Sequence, residues 1–202
     1  ANGVSIIKNV PENEDINAAI EALKKFGVSI NKINEKNNKN INLEVIGSNG
    51  KLKSPNEKID VSNSGTLLRF IAGFASLADG KTIITGSERI RERPINGLLK
   101  SLNDLGIRCS SLNNGFPPVE IKGGTLKGSI TKIKGDVSSQ FISSLLMISP
   151  YAKNDVEIIV EADLVSKSYV DMTIRLMKEF GVNIKNENYK KFKIKCSQKY
   201  TA

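Results

Sequence analysis

The chain has 202 residues, of which 39% are hydrophobic and 25% charged, and a formal net charge of +9. This is an ordinary globular composition, long enough for one domain or for a few fused units around a sizeable core. Two cysteines, Cys109 and Cys196, and no histidine exclude a disulfide framework, a His or Cys metal cluster and a catalytic histidine. No apolar run spans a bilayer and the start lacks signal-peptide features, so we expect a cytoplasmic protein.

The positive charge is compatible with a nucleic-acid partner or with a basic cleft for a small acidic molecule. The lysines are scattered among Asn and Ser, and the aromatic content is only 5%, which disfavours a base-stacking surface. Six of the thirty basic residues are arginines, and three of these lie together in "RIRER" at 89–93. Because the guanidinium fork suits carboxylate and phosphate, this cluster favours a small anionic ligand.

Along the chain, the opening strand "ANGVSIIKNV" leads to the first of three similar amphipathic helices. These are "IEALKKFGVSI", "LLKSLNDLGIRC" and "IRLMKEFGVNI". Each helix is predicted to end at a left-handed glycine, Gly27, Gly106 or Gly181. Each then continues through a polar turn ("NEKNNKN", "SLNNGFPP" or "KNENYKK") into a returning strand, which predicts three hairpins.

A second internal similarity precedes the later two helices. "KLKSPNEKIDVSNSGTLLRFIAGFASLADGKTIITGS" aligns with "TLKGSITKIKGDVSSQFISSLLMISPYAKNDVEIIVE". Each segment predicts a strand, a Ser-rich helix start, a helix apolar on all sides, a turn and another strand. One unit is therefore strand, buried helix, strand, amphipathic helix and hairpin, an α+β module.

These similarities predict a single domain over 1–202 with three repeats at about 1–50, 51–124 and 125–202. The opening "ANGVSIIKNV" matches "LADGKTIITGS", so the first repeat lacks its own first strand and buried helix. We therefore expect this chain to be a piece of something longer.

Four helix starts at equivalent places carry Ser, Thr, Arg or Gln: "SNSGT", "SSQ", "RERP" and "SKSY". Each alone would be simple N-capping, but four together favour an anion site of backbone amides and hydroxyls. Pro94 is predicted at the first position of its helix. Arg69 lies near a helix N-terminus, where the dipole is already positive, and requires either a bound anion or a buried carboxylate such as Asp60.

Four ordered motifs, "NSGTLLR", "RIRERPI", "DVSSQF" and "DLVSKSYVDMTIRLM", resemble the N-terminal domain of the EPSP synthase family of enolpyruvyl transferases. The resemblance covers nearly the whole chain. It implies the family's inside-out α/β barrel, in which each of two domains has three repeated units with helices packed inside. It also implies transfer of the enolpyruvyl group of phosphoenolpyruvate to the 5-hydroxyl of shikimate 3-phosphate, without metal or cofactor.

The resemblance also implies roles for individual residues. The residues expected at shikimate 3-phosphate are Ser138, Ser139, Gln140, Ser166 and Tyr169. Those expected at phosphoenolpyruvate are Gly65, Arg93, Gln140, Asn63, Thr66 and Arg69. Phe70 and Ser168 stand where many members have proline, which bears on the shape of the pocket.

In the family the catalytic carboxylates come from the second domain, and a Lys-Ser pair and an Arg come from an N-terminal helix outside this chain. The resemblance therefore implies no catalytic residue in this half, an inactive fragment, a partner in the enzyme's own C-terminal domain, and a monomeric enzyme. The helix-start carboxylates Asp136 and Glu92 are interpreted as capping groups.

Two alternatives remain open. One is a UDP-N-acetylglucosamine enolpyruvyl transferase, which shares the fold but uses a reactive loop cysteine, whereas Cys109 is predicted in a strand after a helix. The other is a basic nucleic-acid-binding repeat module.

Overall fold

A computed structural model describes residues 1–33 and 40–202. The first sheet is antiparallel in the order β1-β3-β2, and the turn predicted at "NEKNNKN" lies almost entirely outside the described residues. The elements are β1 Val4–Val10, α1 Glu14–Lys25, β2 Ser29–Ile33 and β3 Ile41–Ile46. Helix α1 begins after Asn13, whose side chain accepts a hydrogen bond from the amide of Ile16 at 2.9 Å, as an N-cap does.

The second sheet has the order β4-β5-β7-β6, with β4 parallel to β5 and the other pairs antiparallel. Its region contains β4 Ile59–Asp60, α2 Gly65–Ala75, β5 Gly80–Thr85, α3 Glu88–Arg91, α4 Asn96–Asp104, β6 Arg108–Asn113 and β7 Phe116–Gly123. The short helix α3 is the one element here that the sequence analysis did not predict.

The third sheet repeats the second, in the order β10-β11-β9-β8 with β8 parallel to β9. Its region contains β8 Ile130–Lys134, α5 Ser139–Ile148, a 3-10 turn Ser149–Tyr151, β9 Val156–Glu161, α6 Lys167–Glu179, β10 Ile184–Glu187 and β11 Lys191–Ile194. Two chain segments of different sequence thus fold into the same arrangement.

Helices α2 and α5 lie inside the molecule and pack against each other, as their all-round apolar sequences predict. Leu68, Ala72, Leu145 and Leu146 are fully buried. Burial of each large aliphatic side chain contributes about 1.5–3 kcal/mol, so this helix pair anchors the core. Helices inside and sheets outside are the arrangement expected for an inside-out α/β barrel.

The predicted glycine helix ends are confirmed. Gly27, Gly106 and Gly181 have φ of 85°, 94° and 86°, a region that costs energy for residues with a Cβ. The amide of Gly27 donates to the carbonyl of Lys24 at 2.8 Å. Each glycine therefore reverses the chain into the hairpin that follows it.

The prediction that Pro94 occupies the first position of a helix is wrong. Helix α4 begins at Asn96 after the capping residue Ile95. Ile95 is fully buried, and its amide donates to the carbonyl of Gly115 at 3.1 Å. This tertiary contact keeps Ile95 outside the helix, which begins two residues later than the local sequence indicated.

Candidate functional site

The site begins at the N-terminus of α2, where Arg69 folds back over the first turn. Its Nη1 donates to the carbonyl oxygen of Gly65 at 2.6 Å. A Cβ at Gly65 would lie 2.6 Å from the same Nη1. Only glycine at position 65 therefore leaves room for the guanidinium in this place.

Arg69 is a buried cation that makes no ion pair with a carboxylate in residues 1–33 and 40–202. Its side chain belongs to a residue only 8% exposed, its Nε has no hydrogen-bond partner among the described residues, and its guanidinium lies 5.9 Å from the centre of the Phe141 ring. Burial, and second the positive charge of Arg93, lower the pKa of Arg69. Because a buried unpaired charge is costly, this arrangement favours an anion at Arg69.

Asp60 was the alternative partner expected for Arg69, and the structure gives that carboxylate another role. Its Oδ1 accepts the amide of Ser62 at 2.8 Å, in a turn where Ser62 has φ of 50°. Among the described residues, no ion pair joins Asp60 to Arg69 within 4.0 Å. The carboxylate therefore shapes the loop ahead of α2 and does not compensate the arginine charge.

The N-terminus of α5 lies beside that of α2. Ser138 caps α5 by accepting the amide of Gln140 at 3.3 Å, and the side-chain Nε2 of Gln140 donates to Oγ1 of Thr66 at 2.8 Å. Ser139 is buried. Two helix starts that the repeat alignment made equivalent are thus in direct contact, and both direct amide groups and positive dipole ends to one region.

Helix α6 starts close to the same place. The amide of Val165 donates to the carbonyl of Gly135, at the chain segment that leads into α5, at 3.1 Å. Ser166 precedes α6 with φ of 55° and makes no capping bond, and Tyr169 is 61% exposed. A serine held in the left-handed region, with its hydroxyl unused as a cap, is suited to a ligand contact.

Asn63 connects the α2 loop to two other elements. Its Oδ1 accepts the hydroxyl of Ser87 at 2.6 Å, and its Nδ2 donates to Oε1 of Glu14 at 3.3 Å. The amide of Ser87 also donates to the carbonyl of Ser62 at 2.9 Å. No spacing in the sequence indicated Ser87 or Glu14, because both reach Asn63 only through the fold.

Arg93 follows α3, and its side chain is exposed. Its charge acts on Arg69 across the site and contributes to the lowered pKa of that residue. The two arginines of separate motifs therefore lie close enough to repel one another. Such a pair suits a multiply charged anion, which relieves the repulsion when it binds.

The two helix-start carboxylates singled out in the sequence, Asp136 and Glu92, do not join the site. Among residues 1–33 and 40–202, neither Asp136 nor Glu92 makes a side-chain hydrogen bond or ion pair. The structure describes no contact that would orient either group as a general acid or base. The arginines and helix starts of this region favour binding of negative charge.

Cys109 lies in β6, as expected from the sequence. Burial raises the pKa of its thiol to about 12, and the Sγ donates to the carbonyl oxygen of Leu99 at 3.2 Å. Since the thiolate is the nucleophilic form, this cysteine is unreactive near neutral pH. It does not fit the reactive loop cysteine of the alternative enolpyruvyl transferase.

An apolar groove of about 460 Å³ runs beside the buried helix pair. It is lined from α1, α2, α5 and α6 by residues that include Leu23, Phe70, Phe74, Met147, Met177 and Phe180. Helix α6 adds an exposed apolar stripe of Tyr169, Met172 and Leu176. The groove lies between the amphipathic helix of the first predicted repeat and the buried helices of the other two.

The first sheet differs from the other two at one edge. Strands β5 and β9 each pair with a parallel strand, β4 or β8, but β1 pairs only with β3 in the part of the chain that the structure describes. Val4, Ile6 and Ile7 of β1 are about half exposed. Exposed apolar strand edges are unusual in isolated domains, so the exposure of β1 favours a pairing partner at this edge.

Two classes of feature are missing from residues 1–33 and 40–202. No helix there has the length and apolar character needed to cross a membrane. No group of three or more His, Cys, Asp or Glu residues is placed to hold a metal ion.

Comparison with known proteins gives a consistent result. A sequence model of the EPSP synthase (3-phosphoshikimate 1-carboxyvinyltransferase) family matches residues 1–202. The 3-phosphoshikimate 1-carboxyvinyltransferase of Methanococcus maripaludis is 42% identical over 99% of this chain and 46% of its own length. That of Shewanella piezotolerans is 40% identical over 100% of this chain and 47% of its own.

The fold agrees with the sequence similarity. A solved structure of EPSP synthase from Acinetobacter baumannii superimposes on the whole chain with a TM-score of 0.84 and 26% identity, covering 43% of that protein. The chain thus spans about half the length of the relatives that it matches.

Proposed function

Because this chain belongs to the EPSP synthase family, we propose that it forms the half of a 3-phosphoshikimate 1-carboxyvinyltransferase that binds two anionic substrates. The complete enzyme transfers the enolpyruvyl group of phosphoenolpyruvate to the 5-hydroxyl of shikimate 3-phosphate and releases phosphate. The observation that carries the proposal is the buried Arg69, which pairs with no carboxylate in the part of the chain that the structure describes and lies where the starts of α2 and α5 meet.

Shikimate 3-phosphate is assigned to the starts of α5 and α6. Ser138 and Ser139 supply hydroxyls and the α5 N-terminus, and Ser166 supplies a hydroxyl from the facing loop. Gln140 and Tyr169 lie against the shikimate ring or its carboxylate. A helix N-terminus with flanking hydroxyls is a suitable phosphate site because its free amides and dipole both favour negative charge.

Phosphoenolpyruvate is assigned to the adjacent start of α2. Arg69 and Arg93 hold its charged groups, Gly65 allows close backbone approach, and Asn63 and Thr66 shape the pocket. Two multiply charged substrates must be brought together for the reaction, so fixed cations and dipoles lower the repulsion and orient the reacting atoms. No step of this proposal uses a metal or cofactor.

Proton transfer is assigned to groups outside this chain. The enzyme's C-terminal domain supplies the general acid and base, and an additional strand and helix complete the first repeat. The free edge of β1 and the apolar groove beside α2 and α5 support that completion, because they are where the other repeats have a parallel strand and a buried helix. We assign the complete enzyme to the cytoplasm as a monomer.

The test is an NMR titration of the 202-residue chain with shikimate 3-phosphate and, separately, with shikimate. We expect the phosphorylated ligand alone to shift amide signals at 138–140 and 166–169, with weak affinity. Ser139→Ala should reduce these shifts, whereas the control Ser149→Ala, a buried serine at the far end of α5, should not.

Equal shifts by both ligands would contradict the phosphate assignment. Binding that instead increased with the length of an added oligonucleotide and fell steeply with salt would support the nucleic-acid alternative.

A further inference from the structure

A buried serine of α5 bonds directly to the backbone of α2. The hydroxyl of Ser144 donates to the carbonyl oxygen of Arg69 at 2.8 Å, and Ser144 is fully buried. In an α-helix this carbonyl also accepts the amide of the residue four positions on, which here is Gly73. Ser144 therefore donates a second hydrogen bond to the backbone carbonyl of Arg69, the residue whose side chain forms the proposed anion site.

Gly73 makes this contact possible. A Cβ at position 73 would lie 2.3 Å from Oγ and 3.3 Å from the carbonyl oxygen of Ser144. Any side chain there would force the hydroxyl out of its place. The two helices approach closely at this point because one contributes a glycine and the other a small hydroxyl-bearing residue.

The contact belongs to a series that runs along the facing surfaces of the two helices. Gln140 bonds Thr66, the ring of Phe141 faces the Arg69 guanidinium, and Ser144 bonds the Arg69 carbonyl. Since residues four apart lie on one helix face, Gln140 and Ser144 hold α2 at two points one turn apart. Two points fix both the axial position and the rotation of α2 relative to α5.

We propose that Ser144, seated against Gly73, is a positioning residue that sets the Arg69 guanidinium relative to the N-terminus of α5. The substrate consequence rests on the proposed function: the group that holds phosphoenolpyruvate is placed by the helix that holds shikimate 3-phosphate. Ser144 contacts neither substrate. It acts through the backbone of Arg69.

The first test needs no ligand. The solvent-exchange rate of the Arg69 Nε–H is measured by NMR in the 202-residue chain, in Ser144→Ala and in Ser149→Ala. Loss of one buried hydrogen bond corresponds to about a fivefold change in an equilibrium, so we expect exchange to rise by about that factor in Ser144→Ala. Ser149→Ala is the matched control, because among the described residues its hydroxyl bonds only the carbonyl of Leu145, in the last turn of α5.

A second pair of variants separates the hydroxyl from the packing. Gly73→Ala should destabilise the chain, since its new methyl meets the Ser144 hydroxyl. Adding Ser144→Ala to it should recover stability, because the clashing oxygen is gone, but Arg69 exchange should stay fast. If Ser144→Ala alone fails to fold, the exchange rate of the Arg69 Nε–H is measured in the double variant instead.

The third measurement uses the complete enzyme. Ser144→Ala should raise the Michaelis constant for phosphoenolpyruvate by about fivefold and leave that for shikimate 3-phosphate unchanged. An Arg69 exchange rate that is unaltered in Ser144→Ala, or altered equally in Ser149→Ala, would overturn the positioning role. If neither substrate binds while Arg69 exchange responds as expected, the proposed function fails and the positioning of Arg69 stands.

Discussion

Gln140 donates its side-chain amide to the hydroxyl of Thr66 at 2.8 Å, although the two residues are 74 positions apart in the chain. Each is near the N-terminus of a buried helix, Thr66 in α2 and Gln140 in α5. The bond therefore joins the proposed phosphoenolpyruvate side of the site to the proposed shikimate 3-phosphate side. A ligand bound at the start of either helix would therefore affect the residue at the start of the other helix.

Thr66→Val is expected to weaken phosphoenolpyruvate binding in the complete enzyme by about fivefold, the equivalent of one hydrogen bond. Thr66 is exposed, so the free energy of unfolding should change by less than about 1 kcal/mol. Isothermal titration and urea unfolding measure the two effects. Thr66→Ser, which keeps the hydroxyl and loses only the methyl group, should bind like the unaltered enzyme, and equal weakening in both variants would contradict a specific role of the hydroxyl.

Arg93→Lys keeps the positive charge but loses the planar fork. In the complete enzyme it should raise the Michaelis constant for phosphoenolpyruvate more than that for shikimate 3-phosphate, by about tenfold if one bidentate contact is lost. Arg108→Lys, an exposed arginine in β6, is the matched control and should leave both constants unchanged. An unchanged phosphoenolpyruvate constant in Arg93→Lys would make Arg93 an ordinary surface cation.

Asp155 should make stability depend on pH in acid. The hydrogen bond from Lys195 at 2.6 Å, and next that from the amide of Cys196 at 3.0 Å, lower the pKa of its carboxyl to about 2. Because the folded-state pKa lies below the ordinary value of about 3.9, the contribution is present above pH 4 and is lost as pH falls through 2. These bonds tie the end of β11 to the start of β9.

The check compares urea midpoints of the unaltered chain and Asp155→Asn between pH 6 and pH 2. The unaltered chain should be more stable at pH 6, and the difference should shrink steadily below pH 4. A difference that is independent of pH would show that the Asp155 charge does not contribute.

The 202-residue chain is expected to release no phosphate from the two substrates together. Among the residues that the structure describes, the carboxylates Asp136 and Glu92 make no contact that would orient them for proton transfer. The chain also spans about half the length of its relatives. A complete polypeptide with the additional N-terminal strand and helix and the C-terminal domain should release phosphate at a rate typical of an enzyme. Phosphate release by the chain alone, abolished by Asp136→Asn or Glu92→Gln, would contradict the two-domain proposal.

Much of the architecture was predictable from the sequence because it depends on local sequence patterns. The apolar runs after Gly65 and Ser139 leave no polar face, which predicts buried helices, and glycines at 27, 106 and 181 mark helix ends. The alignment of two long segments predicted two equivalent arrangements of strand and helix, which the second and third sheets confirm. Local signals failed at Pro94, where a backbone contact from Gly115 delays the helix start.

The candidate site was likewise predictable only in part. The Ser, Thr, Gln and Arg residues at the helix starts were predicted from motif position and resemblance, and their substrate roles stay predictions.

The contacts among these residues depend on the tertiary structure alone. Ser144 looked like one more small residue of an apolar helix, and only the packing of α5 on α2 brings its hydroxyl to the Arg69 carbonyl and sets it against Gly73. Likewise, the sequence left open whether Asp60 or a bound anion compensates the charge of Arg69. In the fold the Asp60 carboxylate turns toward Ser62, so it is not the partner of Arg69. Sequence periodicity determines which face of a helix is buried, but long-range packing decides which buried atoms meet.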